Sequence, residues 1–317
     1  MINFSNSHIA FVFPGQGSQA LGMGRELAEK FPTAGAVFEQ ADQILGFSIR
    51  QIAWEGPEDQ LNDTINTQPA LLTHSVAALR VLEELLPGVK ANYVAGHSMG
   101  ELSALVAAGA LGFADALRLA RRRGELMKQA GELTPGGMAA IIGLDIATLE
   151  RLCAEASNEN EIVQVANDNC AGQVVISGAN AALDRVLPLM QKAGARRAMK
   201  LAVSIASHSP LMAHAQQDFN QAVEAAPLRD AATPLVGNVA AVGLSRAGEI
   251  RADLQAQLRS RVRWTESVQW MSAQGVNMYL ELGTGSVLAG LIKRIDKSAV
   301  LAALGAPADF EKFINAV

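Results

Sequence analysis

Short apolar runs alternate with longer stretches of helical period along this chain, and no other feature narrows its fold as much. The runs IAFVF (9–13), NYVAG (92–96) and MYLELG (278–283) have strand length and are rich in branched or aromatic side chains. Between the first two, QPALLTHSVAALRVLEELL sets Leu72, Val76, Leu79 and Leu82 three or four residues apart, which predicts a helix with a core-facing stripe. Pro69 is expected in the first turn of that helix, where a missing N–H does no harm. Strand, helix and strand in this order predict an α/β fold with a mostly parallel sheet.

The middle of the chain changes rhythm. MAAIIGL (138–144), ATLERLCAEA (147–156), VQVAN (163–167), QVVISG (173–178), AALDRVLPLMQKAG (181–194) and RRAMKLAV (196–203) read β-α-β-β-α-β, the ferredoxin-like order. Pro188 is expected to kink or shorten the second of these helices. Gly136 and Gly137 read as a hinge into the unit. The expected division is therefore a large domain from residues 1–129 and 201–317, interrupted by an inserted subdomain at 130–200.

With 317 residues, half of them hydrophobic, the chain has ample material for a core. Its 26 basic and 31 acidic residues give a net charge of −5, and no basic run exceeds Arg121-Arg122-Arg123, so nucleic acid is not an expected partner. Cys153 and Cys170 lack metal-ligand or disulfide spacing, which predicts no metal and a reducing, cytoplasmic setting. The N-terminal MINFSNSHIAFVF has no basic leader, and the apolar stretch from Ala104 to Ala114 is far short of the roughly 18 residues of a membrane span. No membrane association is expected, and the default oligomeric state is a monomer.

The stretch VAGHSMGE (94–101) places Ser98 midway between Gly96 and Gly100. In a G-x-S-x-G turn the nucleophile sits where a strand bends sharply into a helix, and glycines on either side relieve the crowding. NYVA reads as the strand and ELSALVAAGAL as the helix, whose N-terminus would face an anion at Ser98. Taken alone, the residues leave two readings open, a nucleophile or a small structural serine between glycines. Adjacent side chains on such a turn diverge, so His97 is expected to pack around the elbow and a base must come from elsewhere.

Of the five histidines, His8 lies in the terminal leader, His74 on the amphipathic helix and His214 in a polar helical segment. His208, in VSIASHSPLM, follows the strand-like KLAVSI and precedes a proline able to open a helix. Such strand-end loops are where catalytic groups of open sheets gather, although a structural histidine is the other reading.

With these blocks in hand, the chain resembles the malonyl-CoA:acyl carrier protein transacylases and the related acyltransferase domains of fatty-acid and polyketide synthases. The likeness is carried by FVFPGQGSQ (11–19), GHSMGELSALVAAGAL with RRRGELM (96–127), VANDNCAGQVVISG (165–178), VSIASHSPLM (203–212), VRWTESV (262–268) and ELGTGSVLAGLIKRI (281–295), nearly the whole length. The fold implied is an α/β-hydrolase-like core with a mostly parallel sheet plus the inserted ferredoxin-like subdomain. The resemblance makes Ser98 the acyl-accepting nucleophile, His208 its general base and acid, and Arg123 the group that grips a substrate carboxylate. A guanidinium fork suits that task, whereas the residues alone would leave 121–123 a solvated charge run.

Backbone N–H groups of Gln16 and Met99 are the expected oxyanion hole. Gln68 and Asn167 match polar site-lining positions of the family. No aspartate between Ser98 and His208 marks itself as the orienter of a triad, and the resemblance gives that task to a backbone carbonyl at Arg263. The implied reaction takes a malonyl group from malonyl-CoA to Ser98 and on to the phosphopantetheine thiol of an acyl carrier protein, with no cofactor. Arg196, Arg197, Lys200, Lys293 and Arg294 are candidate contacts for that acidic carrier. Thr284 stands where the family usually has proline, and is expected to loosen its turn. Ala206 and Ser207 are small, which leaves malonyl and methylmalonyl both open. A serine thioesterase or esterase and a silent scaffold subunit are the rival readings.

Overall fold

The computed structural model describes residues 7–316, so the first six residues of the leader discussed above lie outside it. Strands form in the order β1 (Ile9–Phe13), β2 (Tyr93–Gly96), β3 (Gly136–Ile142), β4 (Val163–Cys170), β5 (Gln173–Ala179), β6 (Arg197–Lys200), β7 (Leu235–Val236), β8 (Gly243–Leu244), β9 (Met278–Leu282) and β10 (Val300–Leu304). They make a mixed α/β molecule with two sheets. The larger has the order β10-β9-β1-β2-β7-β8, parallel throughout except for β8 at one edge.

Why the central strands read as unbroken apolar runs is visible in β1, which buries all five of its residues. Ile9, Phe11 and Phe13 face one core with Leu71, Leu72, Val76 and Leu79 of the helix Thr64–Leu85. Ala10 and Val12 face the other, with Trp264, Val268 and Met271 of the helix Trp264–Ala273. A parallel sheet covered on both faces has no polar side to alternate with.

The smaller sheet is antiparallel with the order β4-β5-β3-β6, and the helices Ile146–Ala156 and Asn180–Lys192 connect its strands. Ala139, Ile141, Val165 and Ile176 from the strands meet Leu149, Leu152, Leu183, Val186 and Met190 from these helices in a separate core. The sheet is stitched to the larger unit along β4, where Asp168 N–H donates to the Val262 carbonyl at 2.9 Å and Val262 N–H to that of Ala166 at 2.8 Å.

Several local expectations change. The helix Phe113–Leu133 runs through the expected boundary at 129/130. Gly136 and Gly137 are not a hinge but strand residues paired with Ala179 and Gly178, and a Cβ on Gly136 would meet the Gly178 carbonyl and Ala206. Pro69 lies well inside its helix, which begins at Thr64 behind the capping side chain of Asp63. The Ile65 carbonyl it leaves without an intrahelical donor accepts from Arg121 at 3.1 Å, which offsets the loss. Pro188 does not shorten its helix, because it and Asp184, whose carbonyl it deprives, face solvent. Thr284 does not loosen its turn. It is buried with its hydroxyl 2.7 Å from His74 Nδ1, while His74 Nε2 donates to the Gly305 carbonyl at 2.9 Å. Burial pushes His74 down to about 4, so the ring is a neutral crosslink between helix and loop.

Candidate active site

The end of β2 and the helix Gly100–Ala107 meet at Ser98, whose φ of 52° lies in the left-handed region. The flanking glycines are dictated by sterics: a Cβ on Gly96 would collide with the Gly100 carbonyl, and one on Gly100 with the carbonyls of Phe13 and Pro14. Asn238, buried beside β7, clamps the turn. Its Oδ1 accepts from Ser98 N–H at 2.8 Å and its Nδ2 donates to the Gly96 carbonyl at 2.7 Å. His97 packs on Trp264 and donates through Nε2 to Asn169 Oδ1 at 2.8 Å, away from Ser98.

His208 reaches Ser98 from the segment after β6, with Nε2 2.7 Å from Ser98 Oγ. It too has a left-handed backbone, with φ of 57°. Its Nδ1 faces two carbonyls, Gln257 at 2.9 Å and Ser260 at 3.2 Å. Carbonyls only accept, so the proton resides on Nδ1 and Nε2 is left to accept from the serine hydroxyl.

This geometry corrects the role expected for Arg263. That residue caps the helix Trp264–Ala273, so its carbonyl is committed to Ser267, accepting from its N–H at 2.9 Å and its hydroxyl at 3.0 Å. The carbonyls that hold His208 belong to Gln257 and Ser260. The Arg263 side chain is engaged as well: it pairs with Glu266 and donates to the Val239 carbonyl at 2.9 Å, next to the Asn238 clamp. Gln164 on β4 supports the base from behind, donating to the carbonyls of His208 at 2.8 Å and Arg259 at 3.1 Å.

Of the three consecutive arginines, Arg121 and Arg122 pair with Glu125, and Arg122 also with Asp218, while Arg123 turns inward and is 1% exposed. Gly124 makes this possible, because the helix Phe113–Leu133 crosses so close to Thr64 and Ile65 that a Cβ there would strike their backbone. Arg123 donates to Ser98 Oγ at 3.1 Å, to Gln68 Oε1 at 2.9 Å and to Gln257 Oε1 at 2.8 Å, whereas its Nε has no partner among the described residues. Burial pushes Arg123 down to about 10, which leaves it charged at neutral pH with two amides and a hydroxyl as its hydrogen-bond partners. A buried cation so placed is an electrostatic receptor for a small anion.

Gln68 thus supports Arg123 rather than Ser98, and it continues through Thr64 to Gln16 Oε1, with links of 2.9 Å each. The loop bearing Gln16 abuts the elbow, since a Cβ on Gly15 would meet the His97 carbonyl. The N–H groups of Gln16 and Met99 donate to no acceptor among the described residues. Asn167 is buried in β4, in a bridge with Val262, and it is Asn169 two residues on that touches the elbow through His97. Sequence reasoning missed Asn238, Gln257, Gln164 and Asn169.

Burial first, then the charge of Arg123, pushes His208 down to about 3. Since this lies below the ordinary value near 6.5, the ring stays neutral as pH falls through 6.5, and the unfolded chain takes up the proton first. The fold is therefore expected to weaken as pH drops below about 6.5, and the acid limb of activity due to His208 should lie well under that value. Removing the Arg123 charge should move it upward. NMR titration of the His208 ring measures both, and a ring titrating near 6.5 in the free protein would contradict the expectation.

The chain is similar to known proteins over nearly its whole length. Residues 10–306 match the family described as acyl transferase domain. The chain is 41% identical over 309 residues to the malonyl CoA-acyl carrier protein transacylase of Bacillus subtilis (strain 168), covering 98% of this chain and 97% of that protein. It superposes on the malonyl CoA-acyl carrier protein transacylase of Coxiella burnetii with a TM-score of 0.94 at 40% identity, covering 98% of each chain. A similar match, with a TM-score of 0.93 and 42% identity over 98% of this chain and 100% of the other, is to a malonyl-transacylase in complex with its type II PKS acyl-carrier protein. By sequence and by structure, the chain belongs to the acyl transferase domain family that includes the bacterial malonyl CoA-acyl carrier protein transacylases.

Proposed function

We propose that this chain is a malonyl-CoA:acyl carrier protein S-malonyltransferase working through an acyl-enzyme on Ser98. The observation that carries the reading is the position of Ser98 Oγ, within hydrogen-bond reach of His208 Nε2 at 2.7 Å and of a buried, anion-seeking Arg123 at 3.1 Å. His208 removes the Ser98 proton as Oγ attacks the thioester carbonyl carbon, and the resulting oxyanion faces the N–H groups of Met99 and Gln16. The C–S bond breaks, His208 returns the proton to the departing coenzyme A thiolate, and the malonyl ester remains on Ser98. The phosphopantetheine thiol of the carrier then gives its proton to His208 and attacks the ester, and Ser98 regains its proton as it leaves. Arg123 holds the malonyl carboxylate through both halves, with Gln68 fixing the guanidinium.

The reading needs no cofactor or metal, because the serine itself carries the acyl group. It treats the larger unit as α/β-hydrolase-like and the residues at about 130–200 as a ferredoxin-like insertion, in keeping with their strand orders. A cytoplasmic monomer binding neither nucleic acid nor membrane accompanies it, and two free thiols suit a reducing setting. Arg196, Arg197, Lys200, Lys293 and Arg294 are exposed and remain the proposed basic contacts for the acidic carrier. Asn167 is kept as a polar residue bordering the site.

A partition assay separates this function from hydrolysis. With malonyl-CoA and holo carrier protein together, malonyl-carrier should form far faster than free malonate. Free malonate accumulating as fast as the carrier product would make the protein a thioesterase.

A further inference from the structure

We propose that Glu101 is a positioning residue: it shares a single proton with Asp253 in a buried carboxyl–carboxylate pair and, through Gln257, holds Ser98, His208 and Arg123 in place. The proposal deepens the reading above and rests on it for the role of Arg123.

Gln257 touches all three reactive groups. Its main-chain carbonyl accepts from His208 Nδ1 at 2.9 Å, its Oε1 accepts from Arg123 at 2.8 Å, and its Nε2 donates to the Ser98 carbonyl at 3.0 Å. The other Nε2 hydrogen goes to Glu101 Oε2. With both hydrogens committed, the amide presents only its oxygen to the guanidinium.

Glu101 lies in the first turn of the helix Gly100–Ala107, three residues after Ser98, and is 0% exposed. Its Oε1 is buried and receives no donor from the described residues. Asp253 stands one helical turn before Gln257 and is itself buried. Asp253 accepts from the N–H groups of Val239 at 3.3 Å and Ala240 at 2.6 Å, in the turn that directly follows Asn238, the residue that clamps Ser98. Glu101 is tied through Oε2 to Gln257, and Asp253 lies one turn earlier on the helix that ends at Gln257, so two buried carboxyl groups flank the same amide. Two carboxylates packed together away from water do not both ionise, and a proton on Glu101 Oε1, donated to Asp253, supplies the missing partner.

Desolvation, reinforced by the Asp253 charge, holds Glu101 well above the usual carboxylate range. The remaining charged neighbours are Arg123 and Arg263. Were Glu101 ionised, Arg123 would have a resident counterion and less attraction for an incoming carboxylate. A neutral Glu101 fixes the geometry without competing for that charge.

The test has two arms. Infrared difference spectra between the wild type and Glu101→Gln, taken without substrate at about pH 8.5, should show the C=O stretch of one protonated carboxyl. Glu281, which burial pushes up to about 7, has ionised there and does not interfere. Absence of the band overturns the pair, and because no substrate is present this arm is independent of the transferase reading. In the second arm, Glu101→Gln keeps a donor toward Asp253 and an acceptor toward Gln257, so malonyl transfer should stay within about threefold of wild type. Glu101→Leu leaves the Gln257 N–H unpaired and should lose about 10- to 100-fold in kcat/KM. A Gln variant as impaired as the Leu variant overturns the positioning role. If the Leu variant fails to fold, the band and the Gln variant still decide.

Discussion

Ser98→Ala is expected to give a folded protein that takes up no malonyl group from malonyl-CoA, with a loss in transfer rate on the order of 10⁶-fold. The change removes one oxygen and leaves what shapes the turn. Alanine presents the same Cβ at φ of 52°, and the Asn238 bond is made to the backbone N–H rather than to the side chain. His208 keeps its two carbonyl acceptors and Arg123 its two glutamines, so the pocket stays assembled around a missing nucleophile. Intact-protein mass spectrometry after mixing with malonyl-CoA should show one added acyl group on the wild type and none on the variant. An adduct that persists in Ser98→Ala would move the nucleophile elsewhere.

For Arg123→Ala the expected result is a reversal of substrate preference rather than loss of chemistry. Truncating one side of a buried, hydrogen-bonded charge pair costs about 2–5 kcal/mol, which is roughly 30- to several-thousand-fold in kcat/KM for malonyl-CoA. Acetyl-CoA has no carboxylate to leave unpaired, so its kcat/KM should hold or rise. Arg123→Lys should recover little, because a point charge cannot serve Ser98, Gln68 and Gln257 from one planar fork. Kinetics with both thioesters measure the effect, and a retained preference for malonyl would remove Arg123 from substrate recognition.

What the sequence reveals of this site follows from how local each signal is. The elbow at Ser98 is legible because its steric demands fall on residues two positions away. Arg123 is picked out only by the resemblance; the signal that could have marked it as inward, unlike Arg121 and Arg122, is the buried helical stripe it shares with Ala116, Ala120 and Met127 at spacings of four, three and four. The strands β1, β2 and β9 are readable as apolar runs, whereas β7 and β8, with two residues each, are too short to carry a period. Asn238 and Gln257 escape sequence reasoning because each acts on a residue about 140 or more positions away, and nothing beside them announces it. The misplaced orienter has the same cause. A carbonyl acts through the path of the main chain, which the identity of its own side chain does not encode, and a capping position such as Arg263 has its carbonyl already engaged.

The link from Gln164 to the carbonyls of His208 and Arg259, with the backbone stitch at Val262, bears on how this protein can be re-engineered. The small sheet resembles a cassette, threaded into the chain with a core of its own, and invites deletion or exchange. Yet it is a wall of the chamber in which the base is mounted. A minimal version cut at its borders would discard the bracket along with the ornament, and a graft from a relative has to bring an equivalent amide to the same two oxygens.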